Sequence, residues 1–132
     1  MERLKWVTVF WFSQLHLSTF QNKPFNPILG ETCQMKIGDL DVYFEHVIHK
    51  PPVAAIYGTS PLYTIHGFWE VDAKTGANSI KAYKKGNYYI TFSDGHKFEL
   101  KQAVVSIKGT TVGKRTFNFS LNSYVSDRVS SL

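Results

Sequence analysis

Turn signals follow one another too closely along most of this chain for parallel strands to form. Strand-like runs at about 31–37, 40–49, 53–58, 63–71, 78–83, 87–92, 97–108 and 115–121 are separated by Gly38-Asp39, Pro51-Pro52, Lys74-Thr75-Gly76, Lys85-Gly86, Asp94-Gly95 and the segment 109–113. A parallel pair needs a crossover of roughly a dozen residues or more, so gaps this short imply antiparallel neighbours. Tyr88, Ile90 and Phe92 alternate with Tyr89, Thr91 and Ser93, the pattern of a sheet with one wetter face. The expected fold class is mostly β: an antiparallel meander, curved or forming part of a barrel.

Ahead of the strands, Leu4, Val7, Phe10 and Trp11, followed by Leu15 and Leu17, fit helical spacing and predict an N-terminal α-helix over residues 2–16. Val7, Thr8 and Val9 are also good strand formers, so a strand is the alternative there. Residues 22–30 hold Pro24, Asn26, Pro27 and Gly30 and read as an ordered loop. The last residues, 123–132, are serine-rich and carry no turn or cap that closes a sheet, so the chain reads as one domain over 1–132 and as a fragment of a longer one.

With 132 residues, 43% apolar and 19% charged, the composition is globular and excludes a disordered or collagen-like polymer. The single cysteine, Cys33, cannot make an internal disulfide or a thiolate metal cluster; it is expected to be a buried small hydrophobe in a reduced, cytoplasmic chain. The run from Trp6 to Phe12 lacks the small-residue cleavage site of a signal peptide, and no run approaches the roughly 18 apolar residues of a spanning helix. Any membrane contact is therefore expected to be peripheral. The net charge of +5 favours an anionic partner: a phosphate, a membrane surface or a nucleic acid.

Two segments carry the chemistry: Lys23-Pro-Phe-Asn-Pro-Ile-Leu-Gly-Glu31 and Glu45-His-Val-Ile-His-Lys-Pro-Pro52. In the first, Pro24 and Pro27 stiffen the backbone around Asn26, which lowers the ordering cost when Lys23 and Asn26 meet a ligand. The second places His49 and Lys50 at a strand end, just before two prolines. Neighbouring strand residues point to opposite faces, so His49 and Lys50 can share a ligand only if the chain kinks there. Lys23, His49 and Lys50 together suit a phosphate monoester. The alternative is solvated lysines on turns beside a half-buried histidine.

These two motifs, with Val112-Gly113-Lys114 ahead of a strand, resemble the lipid-binding domain of the oxysterol-binding protein family. Its fingerprint is Glu-Gln-Val-Ser-His-His-Pro-Pro, preceded by a Lys-Pro-x-Asn-Pro-x-x-Gly-Glu loop. Glu45, Val47, His49, Pro51 and Pro52 match the fingerprint; His46, Ile48 and Lys50 depart from it. The resemblance implies an incomplete antiparallel β-barrel that shelters one lipid, a sterol or phosphatidylinositol 4-phosphate, and exchanges it between membranes. It further implies that Lys23 contacts phosphate, that Asn26 lies near the headgroup, and that His49 and Lys50 stand at the two fingerprint histidines. Lys50 keeps a cation but loses a planar donor that titrates near neutrality.

Other chemistry is weaker. Glu45, His46 and His49 bring a carboxylate and two imidazoles close together, yet on a regular strand the histidines face opposite ways and no third ligand can be named, so no metal is expected. No nucleophile with a positioned base can be named either, so neither a cofactor nor a catalytic residue is expected. The stretch from Lys81 to Tyr89 interleaves lysine and tyrosine as single-strand nucleic-acid platforms do, but reads as a hairpin turn with solvated lysines. The sequence thus points to a lipid carrier in peripheral contact with anionic membranes. The alternative is a basic β module that docks on anionic membranes or nucleic acid without extracting a lipid.

Overall fold

The computed structural model describes residues 2–19, 25–119 and 124–128. Helix α1 spans Glu2–Ser13 and runs into a 3-10 segment, Gln14–Thr19. It ends earlier than its apolar spacing predicts because side chains take up its last carbonyls: Ser13 Oγ donates to the Phe10 carbonyl (2.6 Å) and Gln14 Nε2 to that of Trp11 (2.9 Å). Val7 and Trp11, one turn apart, are buried with Leu4 beside them, whereas Phe10 is more than half exposed.

The strands are β1 Thr32–Ile37, β2 Leu40–Ile48, β3 Val53–Thr59, β4 Tyr63–Gly76, β5 Ser79–Lys85, β6 Asn87–Phe92, β7 Lys97–Lys101, β8 Val105–Lys108, β9 Thr116–Phe119 and β10 Tyr124–Arg128. All pair antiparallel in one sheet, as the turn spacing implies. The ladder opposite β4 keeps one register from Lys85 facing Glu70 to Tyr88 facing Gly67, so β5 and β6 are halves of a single strand bent at Gly86. Only glycine suits that bend: its φ is +103° and a Cβ would lie 2.3 Å from the Phe68 carbonyl oxygen. Farther along, β7 pairs with β6 and β8 with β5, and then β10 pairs with β7 and β9 with β8. The path is a simple meander in which the later strands are interrupted. Among the described residues β1 pairs only with β2, and β9 only with β8, so the barrel wall is open.

Three expectations are corrected. The turn expected at Lys74-Thr75-Gly76 lies one step later, at Ala77-Asn78, because β4 continues to Gly76. Lys85-Gly86 is a bend within a strand, where continued pairing with β4 overrides glycine's preference for turns. Cys33 is exposed, because β1 is an edge strand that nothing covers among the described residues.

The core lies where α1 crosses the sheet. Val7 and Trp11 pack on Ile65, Tyr88, Ile90, Phe98 and Leu100, and Trp11 Nε1 donates to the Lys101 carbonyl at 3.1 Å. Trp69 stacks on Tyr88 at 5.9 Å and extends the same apolar face toward β2. Register carries that face outward: Trp69 stands opposite Ala54 and Ala54 opposite His46, while Val71 stands opposite Lys84. Among the described residues no helix is long and apolar enough to cross a membrane.

Candidate functional site

Both sequence motifs are fastened to the sheet by their backbones. In the first, the Ile28 amide donates to Glu31 Oε2 (2.9 Å) and the Glu31 amide to the Ile28 carbonyl (3.0 Å), which closes a turn over Leu29 and Gly30. The Gly30 amide then donates to the His46 carbonyl (2.9 Å) and the His46 amide to the Glu31 carbonyl (3.0 Å). The loop is therefore laced to β2 at His46, inside the second motif. The lacing satisfies backbone groups that an unpaired loop would leave open.

The second motif leaves β2 through an irregularity. The register slips between His46 and Ile48, and residues 49–52 form a turn with a cis Lys50-Pro51 bond. Pro52 rejoins the sheet by accepting a bond from the Val71 amide at 3.0 Å. On a regular strand His46 and His49 would face opposite ways. The slip instead brings their rings edge to face, 5.9 Å apart, which corrects the expectation that they diverge.

Together these attachments frame a cavity of about 330 Å³ lined by Asn26, Pro27, His46, Pro52, Ala54, Trp69, Val71 and Lys84. Of the residues singled out from sequence, Asn26 lines this cavity. His49 and Lys50 are exposed on the adjoining turn, with His49 against His46. Lys23 lies outside the described residues. Two polar residues enter that the sequence reading gave no binding role. His46 is only 5% exposed and its Nε2 has no hydrogen-bond partner. Lys84 is half-buried, and burial holds its ammonium below the usual lysine range.

Lys84 was legible in one respect. It has the parity of Tyr88 and Ile90, so alternation carried back through Gly86 sends it to the apolar face; reading Lys85-Gly86 as a turn hid that continuity. The lysines of odd parity do face outward, where Lys81 lies over the Tyr83 ring at 5.2 Å and Lys85 pairs with Glu70 at 2.8 Å. Among the described residues no group of three or more potential metal ligands occurs. The arrangement joins an apolar wall to hydrogen-bonding and cationic groups, which suits one end of an amphiphile.

Comparisons with known proteins agree with this architecture. The family profile described as Oxysterol-binding protein matches residues 1–129. Oxysterol-binding protein 9 of Dictyostelium discoideum is 35% identical over 124 residues, covering 90% of this chain and 28% of that protein. Oxysterol-binding protein homolog 1 of Saccharomyces cerevisiae is 31% identical over 109 residues, covering 80% of this chain and 9% of that protein. The Osh1 ORD domain in complex with ergosterol superposes with a TM-score of 0.82 at 28% identity, over 95% of this chain and 32% of that one. The Osh3 ORD of Saccharomyces cerevisiae, in complex with PI(4)P, superposes at 0.85 with 24% identity, over 94% and 35%, a likeness of fold. The chain thus spans about a third or less of these relatives. With its two motifs, its open antiparallel wall and a family match over nearly its whole length, the chain belongs to the oxysterol-binding protein family.

Proposed function

We propose that this chain is one lipid-binding unit of an intracellular carrier that takes a sterol or phosphatidylinositol 4-phosphate from one membrane and releases it at another. The observation that carries this reading is the cavity at which the two motifs meet, where Asn26 and His46 bring polar groups to a wall that includes Ala54, Trp69 and Val71. Family membership supports it, as does the likeness to Osh1 domains solved with ergosterol and cholesterol. In this reading Lys23, His49 and Lys50 supply cationic contacts to a phosphorylated headgroup, and Asn26 orients it by hydrogen bonds. Apolar burial holds the rest of the lipid, at about 25 cal/mol per Å². The role is binding and release, with no bond made or broken.

Contact with membranes has its own support. Phe25 is fully exposed and Ile28 and Leu29 are 73% and 62% exposed, all on the loop beside the cavity, in a chain of net charge +5. Apolar side chains on a basic protein favour peripheral attachment to an anionic cytoplasmic leaflet.

The test is extraction. Liposomes carrying labelled phosphatidylinositol 4-phosphate are incubated with the protein and pelleted, and the label in the supernatant is measured. Stoichiometric lipid in the supernatant is the expected result, and it should fall at least tenfold in Lys23→Ala/His49→Ala with the thermal midpoint little changed. Lipid left wholly in the pellet with bound protein would replace the carrier by a docking module.

A further inference from the structure

The apolar face that runs across β2, β3, β4, β5, β8 and β9 is built by register from Leu40, Val42, Phe44, Ala54, Ile56, Ile65, Trp69, Val71, Ile80, Ala82, Val105, Ile107, Phe117 and Phe119. Two side chains of ordinary charge chemistry interrupt it, His46 and Lys84, and both line the same cavity. His46 is 95% withdrawn from solvent with an unpartnered Nε2, and Lys84 makes no ion pair with any described residue. The acidic residues nearest in the ladder face the other way: Glu70 pairs with Lys85, and Asp72 stands opposite Tyr83.

Buried polar groups are ordinarily satisfied, and an orphaned nitrogen and a half-buried ammonium lining one cavity mark a place where a ligand supplies the missing partner. Lys84 also lines a second cavity of about 170 Å³ with Gln14, Leu15, Ala103, Val105, Phe117 and Phe119. The ammonium therefore borders two recesses whose walls are mostly apolar. A headgroup held at His46 and Lys84 can send a hydrocarbon tail along Val105, Phe117 and Phe119.

We infer that His46 and Lys84 give this same cavity, on the apolar face of the sheet, a subsite for the anionic oxygen head of an acidic amphiphile such as a long-chain carboxylate. The inference rests on the reading of the chain as lipid-binding and adds a selectivity to it. A neutral hydroxyl cannot offset the ammonium's charge in apolar surroundings, whereas a carboxylate can, through a charge-assisted hydrogen bond from Lys84 and a second from His46. Burial keeps Lys84 closer to its neutral form until such an anion enters.

The experiment compares heads on one tail. Displacement of cis-parinaric acid from the purified full chain at pH 7 is measured with oleate and with oleyl alcohol, alongside inorganic phosphate as an anion without a tail. The expected result is at least a tenfold preference for oleate over the alcohol and no displacement by phosphate. Lys84→Met should abolish the preference while retaining the alcohol's affinity, and His46→Phe should reduce it. Lys85→Met, on the opposite face, should leave it unchanged. Equal affinity for oleate and oleyl alcohol in the wild type, a preference that survives Lys84→Met, or displacement by phosphate alone overturns the inference. If labelled phosphatidylinositol 4-phosphate is still extracted in that case, the carrier reading stands and only this site falls; if no lipid of any head binds, both fall.

Discussion

Lys84 stands opposite Val71 across β4 and β5, and so shares a face with Trp69 and Tyr88, while Lys85 reaches Glu70 on the other side of the same strand. Two adjacent lysines are thereby given opposite environments by the pleat alone. One is a solvated partner in a surface ion pair, and the other carries a charge into an apolar recess.

The first prediction follows from that charge. The Lys84 pKa is lowered by burial from its ordinary 10.5, so the native state holds this proton less tightly than the unfolded chain does. Below the folded pKa both states are protonated and the native state bears the full penalty. As pH rises from there toward 10.5 the native state releases the proton first, and wild-type stability rises. Lys84→Met should therefore stabilise the protein at pH 7 by on the order of 1 kcal/mol, or roughly 4 °C in Tm, with the gain shrinking toward pH 10.5. Thermal melts of both proteins across that range check it. A gain independent of pH would mean that packing, not charge, is responsible.

Glu31 is predicted to act on the ligand through the loop it closes. Its Oε2 accepts the Ile28 amide at 2.9 Å, and its backbone joins the loop to His46. Glu31→Ala removes the side-chain bond and leaves the backbone bonds in place. Loss of about 1 kcal/mol of loop ordering should weaken phosphatidylinositol 4-phosphate binding about fivefold, with a Tm change under roughly 2 °C. Liposome extraction and a melt on the same sample give both readouts.

Gly67 is expected to tolerate no side chain. A Cβ there would lie 2.5 Å from the Asn87 carbonyl oxygen and 2.8 Å from Tyr88 Cα, both backbone atoms that cannot step aside. Gly67→Ala should cost about 2 kcal/mol by urea unfolding. It should also perturb the near-ultraviolet circular dichroism of Trp11 and Trp69, whose rings lie 5.2 Å and 5.9 Å from Tyr88.

On the opposite face, Glu99 is 5% exposed and gathers β6, β7 and β10: it accepts from Asn87 Nδ2 at 2.7 Å, from Arg128 Nε at 2.9 Å and from Arg128 Nη2. The Arg128 side chain is 62% exposed. Arg128→Ala removes two donors to the buried carboxylate and should lower stability more than Glu99→Gln does. Glu99→Gln keeps an acceptor for Asn87 and lets Arg128 return to water, so it should cost about 1 kcal/mol. Equilibrium urea curves compare the two, and the reverse order would contradict this account of the pair.

The strands were legible because alternation and turn chemistry are local. Tyr88 and Ile90 are buried, as their parity requires, and Gly38-Asp39 and Asp94-Gly95 turn where expected. Errors fell where a local signal met a tertiary partner. Lys85-Gly86 has turn composition, yet β4 pairs on both sides of it and draws it into a strand. Cys33 has core chemistry, but burial needs a neighbour and β1 lies at the edge of the sheet. Asn26, which lines the cavity, was singled out by its place in a rigid loop, and the exposed His49 and Lys50 by theirs before two prolines. His46 and Lys84 could not be joined from sequence, because what joins them is the ladder of pairings through Ala54, Trp69 and Val71.

By itself, then, the sequence determined an antiparallel β chain with a helix ahead of it and two proline-bearing loops that carry lysine, asparagine and histidine, since these depend on side-chain alternation, proline and glycine within a few residues of one another. Tertiary structure alone decided which cation turns inward, which histidine is buried and where a cavity opens. Those outcomes depend on strand register, and register is set by residues far apart in the chain.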